Sequence, residues 1–217
     1  VESDVMYLIN FCKDVLLTMT DVKDKSSLMI FNKKCSLNCY KCHSIKTIKD
    51  KSNIVSEDFI IEQIELNSPL IQVIILSGGN FLDESIEDIF EFIHKIKRFN
   101  KDIVINTNGM YSEKLAKLIS SGMIQGAYMD IKYPIWLEPN EEVFTKVYGV
   151  KYSIDLVKEI MKSMVTINES TLKYKNFRTV KYDFLPQSYF DAIQEELKNY
   201  CVDYQINPFH NLEDDDE

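Results

Sequence analysis

The chain has 217 residues, 45% of them apolar, with 25 lysines and arginines against 34 acids and a net charge of −9. That length supports one sizeable core, and no apolar run reaches the roughly 18 to 20 residues that cross a bilayer. The acidic balance argues against a nucleic-acid partner, because phosphate contacts need a basic surface.

The opening stretch VESDVMYLIN carries acids where a secretory signal carries a basic and then an apolar segment, so a cytoplasmic protein with no membrane partner is expected. Residues 1–26 read as an N-terminal helical extension, because Tyr7, Phe11, Val15 and Leu16 recur at roughly helical spacing. Residues 27–211 alternate β-rich apolar runs with helical patterns. The predicted strands are 28–32 (LMIFN), 71–76 (IQVIIL), 102–106 (DIVIN), 126–131 (GAYMDI), 177–182 (FRTVKY) and 202–207 (VDYQIN). Between them, 56–67, 84–99, 112–121, 153–164 and 186–200 show apolar residues at three- and four-residue intervals. Ser56, Ser112 and Ser153, each followed by acids, read as helix starts, and Gly122 as a stop. Such alternation specifies a parallel α/β sheet with helical crossovers. Six strands are too few for a full eightfold barrel, which leaves a partial barrel or a doubly wound sheet. Residues 212–217 read as a solvated acidic tail.

Three of the five cysteines, Cys35, Cys39 and Cys42, fall in the loop after the first strand with the spacing C-x3-C-x2-C. In a reducing compartment such a cluster serves metal or catalysis more often than disulfides, and the C-terminal ends of parallel strands are where α/β folds collect their chemistry. Three thiolates can hold three irons of a [4Fe-4S] cluster and leave the fourth open. Zinc needs a fourth ligand; His43 adjoins Cys42 too closely to turn onto the same ion, and Cys12 and Cys201 read as apolar packing residues. A lone His94 on the second predicted helix has no such context.

CSLNCYKC resembles the cluster motif of the radical S-adenosylmethionine (SAM) enzymes, and the resemblance continues through Leu76-Ser77-Gly78-Gly79, Asn106-Thr107-Asn108-Gly109, Asp130-Ile131-Lys132, Phe177-Arg178-Thr179-Val180 and Asn207-Pro208-Phe209-His210. It implies a single-domain (β/α)6 partial TIM barrel of parallel strands. It is nearest to the activating enzymes of anaerobic ribonucleotide reductase and other glycyl-radical enzymes. There, Cys35, Cys39 and Cys42 would be metal ligands and the catalytic centre. Reductive cleavage of SAM at the cluster would give a 5′-deoxyadenosyl radical that takes hydrogen from a glycine of a large partner enzyme. Gly78 and Gly79 would admit the methionyl end of SAM. Thr107, Asn108 and Asp130 would meet its carboxylate or a monovalent cation bound to it, Lys132 and Arg178 would supply positive charge, and His210 would lie near the ribose.

Two positions depart from that family. Asn80 stands where a glutamate usually accepts from the SAM ammonium, and Asn80→Glu is expected to tighten binding. Lys41 stands where an aromatic usually flanks the adenine, with Tyr40 one residue earlier as a replacement. No further cysteine set follows Cys42 before the next strand, so one cluster is implied, reduced by an external donor such as flavodoxin or ferredoxin. A radical enzyme acting on a small molecule, such as a 7-carboxy-7-deazaguanine synthase, and a non-catalytic metal-binding module are the alternatives. The former usually carries aspartate where His43 stands.

Overall fold

The computed structural model describes residues 9–209; Tyr7, His210 and the tail at 212–217 lie outside them. Six strands run parallel in chain order: β2 (Ser27–Asn32), β4 (Val73–Gly78), β5 (Asp102–Thr107), β6 (Gly126–Asp130), β7 (Tyr174–Lys181) and β8 (Asp203–Pro208). Two more close one edge: β1 (Phe11–Thr18) runs antiparallel to β2, and the two-residue β3 (Ile54–Val55) antiparallel to β1. Helices α1 (Ile45–Lys49), α2 (Glu57–Asn67), α3 (Ile86–Ile96), α4 (Ser112–Ser120), α5 (Glu141–Tyr148), α6 (Ile154–Glu169) and α7 (Gln187–Leu197) fill the crossovers. The parallel α/β sheet expected of the sequence is present, and its single direction of growth fits a partial barrel.

The helical reading of the N-terminal extension fails where it is described. Residues 11–18 are strand, with a register shift between Phe11 and Val15. A bulge offsets the alternation of apolar side chains, and the resulting four-residue interval imitates a helical one. Serine caps are confirmed at Ser56 and Ser153, which accept from Phe59 N and Leu156 N, and Ser85 does the same for Asp88 N. Ser112 is instead the first residue of α4, and its hydroxyl and amide both bond Glu159 on α6.

Strands buried on both faces explain the unbroken apolar runs. Ile74, Leu76, Ile103 and Ile105 face the helices, where Phe11, Phe81 and Phe92 form a ring cluster with centroids 4.9 to 6.1 Å apart. The alternate residues Met29, Val73, Ile75, Val104 and Tyr128 form a separate cluster on the inner face. One pleat further along, those inner positions become Phe31, Ser77, Asn106 and Asp130. The inside of the curved sheet is therefore apolar at the strand starts and polar at their C-terminal ends, which gives the site its place. No helix among the described residues is long and apolar enough to cross a membrane.

Candidate active site

A cavity of about 330 Å³ opens at the C-terminal ends of the parallel strands. Cys35, Cys39 and Cys42 share its wall with Gly78, Gly79, Thr107, Asn108, Asp130, Lys132 and Arg178. The fold thus gathers ten of the thirteen residues singled out from the sequence.

The cysteine loop is held in shape by its neighbours. Gly79 N donates to Asn32 O at 2.9 Å and Asn80 N to Lys34 O at 2.8 Å, so the end of β4 grips the start of the loop. A side chain has no room there. A Cβ on Gly79 would lie 2.1 Å from Lys34 O, and one on Gly78, whose φ is +100°, would lie 2.4 Å from Asn32 O. On the opposite side Tyr40 N donates to Val147 O on α5, and a Cβ on Gly149, in the left-handed cap of that helix, would lie 1.7 Å from Asn38 O. Leu37, 7% exposed, pins the middle of the loop into the core.

Burial keeps the Cys35 and Cys39 thiols protonated at neutral pH. Burial pushes Cys35 up to about 11; burial also raises Cys39, against the opposing charge of Lys132. A metal must therefore displace protons to bind here. Among the described residues no three His, Cys, Asp or Glu side chains converge as a single ion would require; the trio spans a pocket wall rather than a point.

Opposite the thiols stands a charged triad. Lys132 Nζ lies 2.8 Å from Asp130 Oδ2, and Arg178 approaches Asp130 Oδ1 at 3.5 Å. Burial disfavours the Asp130 carboxylate, but Lys132 and then Arg178 outweigh it and hold its pKa below the ordinary range. Burial likewise opposes the Lys132 ammonium, and the Asp130 carboxylate overcomes it, keeping the pKa well above the lysine value. Two cations on one carboxylate leave the triad with positive charge for an anionic ligand group. Both carboxylate oxygens are committed, and Thr107 Oγ1 donates to Asn80 Oδ1 and accepts from Gly109 N. These residues do not offer a monovalent cation a ready set of oxygens.

Two residues expected at the site, Asn80 and Tyr40, do not line the cavity. Asn80 is fully buried behind it, its amide donating to Asp83 Oδ2 at 3.0 Å and its carbonyl oxygen accepting from Thr107. Tyr40 packs edge-on to Tyr182 and Phe184 under the Lys146 ammonium. Lys41, at the left-handed φ of 42°, makes the turn that sends Tyr40 into this aromatic cluster and its own side chain into the wall. His210 lies outside the described residues.

Two wall residues fall inside the sequence motifs without a role read from them. Ser77 and Asn106 line the cavity and bond each other, Asn106 Nδ2 to Ser77 Oγ at 2.9 Å, while the buried Asn106 Oδ1 has no partner among the described residues. Such an atom is costly unless a ligand donor meets it. Stepping two residues along the pleat from Ile75 and Val104 identifies both. Met29, Phe31, Val180 and Tyr182 supply the apolar part of the wall. A three-thiol loop, a cationic cluster and an unsatisfied acceptor around one cavity fit a three-cysteine iron–sulfur cluster with an amino-acid-bearing ligand beside it.

Comparison with known proteins agrees. A Methanocaldococcus jannaschii protein named provisionally as a glycyl-radical enzyme activating enzyme is 25% identical over 151 residues, covering 66% of this chain and 60% of its own length. The match thus spans less than two thirds of that relative. Coproporphyrinogen III oxidase (HemN) from Escherichia coli, described as a radical SAM enzyme, shares the fold with a TM-score of 0.53 and 13% identity, over 71% of this chain and 37% of its own. QueE from Escherichia coli aligns over 94% of this chain and 86% of its own at 9% identity and a TM-score of 0.49. The model of the radical SAM superfamily matches residues 29–171, well over half the chain, and the chain therefore belongs to the radical SAM superfamily.

Proposed function

We propose that this chain installs a glycyl radical on a larger partner enzyme, as an activase of the anaerobic ribonucleotide reductase type. Membership of the superfamily implies a [4Fe-4S] cluster and SAM, with Cys35, Cys39 and Cys42 as the ligands. Once bound, the cluster supplies the electron that breaks a carbon–sulfur bond of SAM, and the radical so formed takes hydrogen from a glycine Cα.

The chain's own part is position and charge. Lys132 and Arg178 attract the SAM carboxylate, with Asp130 fixing both cations in place. Asn106 Oδ1 is placed to accept from the ligand's ammonium or hydroxyl groups. Gly78 and Gly79 hold the cysteine loop close to the β4 end, keeping cluster and ligand side by side. Phe31, Val180 and Tyr182 exclude water from the reacting atoms. The single observation that carries the activase reading is the relative from Methanocaldococcus jannaschii with its assignment to glycyl-radical enzyme activation.

The test is anaerobic incubation of the reconstituted, reduced protein with SAM and a candidate glycyl-radical enzyme, followed by electron spin resonance. A glycine-centred doublet on the partner, absent with Cys39→Ala, is the expected result. Production of 5′-deoxyadenosine without that doublet, alongside turnover of a small molecule, would move the chain to the small-substrate branch of the superfamily.

A further inference from the structure

Residues 80–84, behind the cysteine loop, are all buried, and their polar side chains join two walls of the cavity. Thr107 Oγ1 donates to Asn80 Oδ1 at 3.2 Å, Asn80 Nδ2 to Asp83 Oδ2 at 3.0 Å and the Tyr111 hydroxyl to Asp83 Oδ1 at 2.6 Å, with Ser36 Oγ 3.4 Å from that hydroxyl. This chain of bonds runs from a wall residue to the neighbour of Cys35 and turns on Asp83, which is 9% exposed. Both Asp83 oxygens accept from neutral donors, as an ionised carboxylate does. Its counter-charge is missing. Glu84 is paired with Lys34 at 3.3 Å, whereas no ion pair reaches Asp83 among the described residues. Lys114, the cation nearby, spends its ammonium on Leu82 O at 2.9 Å and Glu84 O at 2.5 Å. Burial raises the Cys35 thiol most, and among the charges that act on it Asp83 comes first.

We propose that Asp83 is a fixed negative charge beside the Cys35 corner of the cluster that lowers the cluster's reduction potential, making it harder to reduce and, once reduced, a stronger electron donor to SAM. The proposal rests on the three-cysteine cluster assigned above and not on the activase reading. Reduction adds one electron to the cluster, with no bond or proton changing place, so a like charge held nearby in a poorly polarisable interior opposes it. Net charge and hydrogen bonding around the sulfurs are the means by which a protein sets such a potential. At the Cys39 corner Lys132 has the opposite sign, but its ammonium is bonded to Asp130 at 2.8 Å and its charge is offset there. A residue that only braced the loop would need the two hydrogen bonds; the absent counter-ion is what points to the charge.

The experiment is a redox titration of the full-length reconstituted protein without SAM or partner, using titanium(III) citrate as reductant and electron spin resonance to follow the reduced cluster. For Asp83→Asn the ratio of reduced to oxidised cluster at a fixed potential should rise about tenfold, roughly 59 mV for one electron, with iron content and g-values unchanged. Glu84→Gln, which removes a charge already offset by Lys34, should move the ratio much less. Tyr111→Phe keeps the carboxylate and removes a donor that spreads its charge, so its potential should fall, opposite in sign to Asp83→Asn. Shifts of the same sign in both variants, as loss of bracing alone gives, would overturn the proposal, and so would a wild-type potential in iron-replete Asp83→Asn protein. Should Asp83→Asn fail to load iron, Tyr111→Phe decides: a fall supports the fixed charge, and no change or a rise overturns it. A wild-type protein that takes up no iron would remove the cluster reading and this proposal with it. The expected shifts without a glycyl radical on any partner would leave this proposal standing and remove the activase reading instead.

Discussion

Gly79 carries more than a turn. With Lys34 O at 2.1 Å from a would-be Cβ and the Cys35 Cβ at 3.1 Å, Gly79→Ala has to push the cysteine loop off β4. The expected cost to folding is about 1–3 kcal/mol. The expected effect on metal is larger, since a ligand moves: iron bound per chain after anaerobic reconstitution should drop well below the wild-type value while circular dichroism stays native. Asn80 leads to a revised expectation. Read from the sequence, Asn80→Glu restores a charge pair with SAM; in the fold the new carboxylate would lie buried beside Asp83 and forfeit the amide bond that now joins them at 3.0 Å. A loss of about 2 kcal/mol or more is expected, lowering Tm by roughly 4–8 °C, with no gain in SAM affinity by calorimetry. The identities around the site were legible because each strand-end motif keeps its residue types. Which way each side chain turns was not: a left-handed φ at Lys41 and the backbone grip on Asn80 come from contacts between segments more than 40 residues apart.

Among the elements, the β5 and β7 starts are joined across the sheet by Asp102, whose carboxylate takes Lys173 Nζ at 2.7 Å and the Tyr174 hydroxyl at 2.8 Å. Burial works against that carboxylate, and the bonds to Lys173 and Tyr174 outweigh it, so its pKa lies below the ordinary value. A depressed carboxyl stabilises the fold above its unfolded pKa of about 3.9 and loses that contribution as pH falls through the lower folded value. Asp102→Asn should therefore cost about 1 kcal/mol at pH 7, a gap from wild type that closes below about pH 4 in urea titrations. Cofactor cleavage should be unaffected, because this end of the sheet lies away from the cavity. The six parallel strands were legible from their apolar runs and the turn signals between them. β1 was not, since its bulge hides the two-residue period. α5 was also passed over despite a capping Asn140, acids at Glu141 and Glu142, and a terminal Gly149; at 8 residues it presents barely two turns of pattern, and it follows β6 where a single crossover helix is the simpler expectation.

At the scale of the whole molecule, apolar packing and polar chemistry divide along the strands. The apolar strand starts fill the inner sheet, the polar strand ends make the cavity, and the cysteine loop forms part of its wall. None of this partition follows from net charge or overall composition, which describe an ordinary acidic protein; it appears only once the sheet assigns alternate residues to opposite sides. The wedging of that loop between Gly79 and Gly149 has its own consequence. Incoming iron and sulfide meet a receptacle that the polypeptide has already moulded, so the ordering entropy is spent when the chain folds and not when the inorganic part arrives. A protein stripped of its iron by oxygen can then be refilled without refolding.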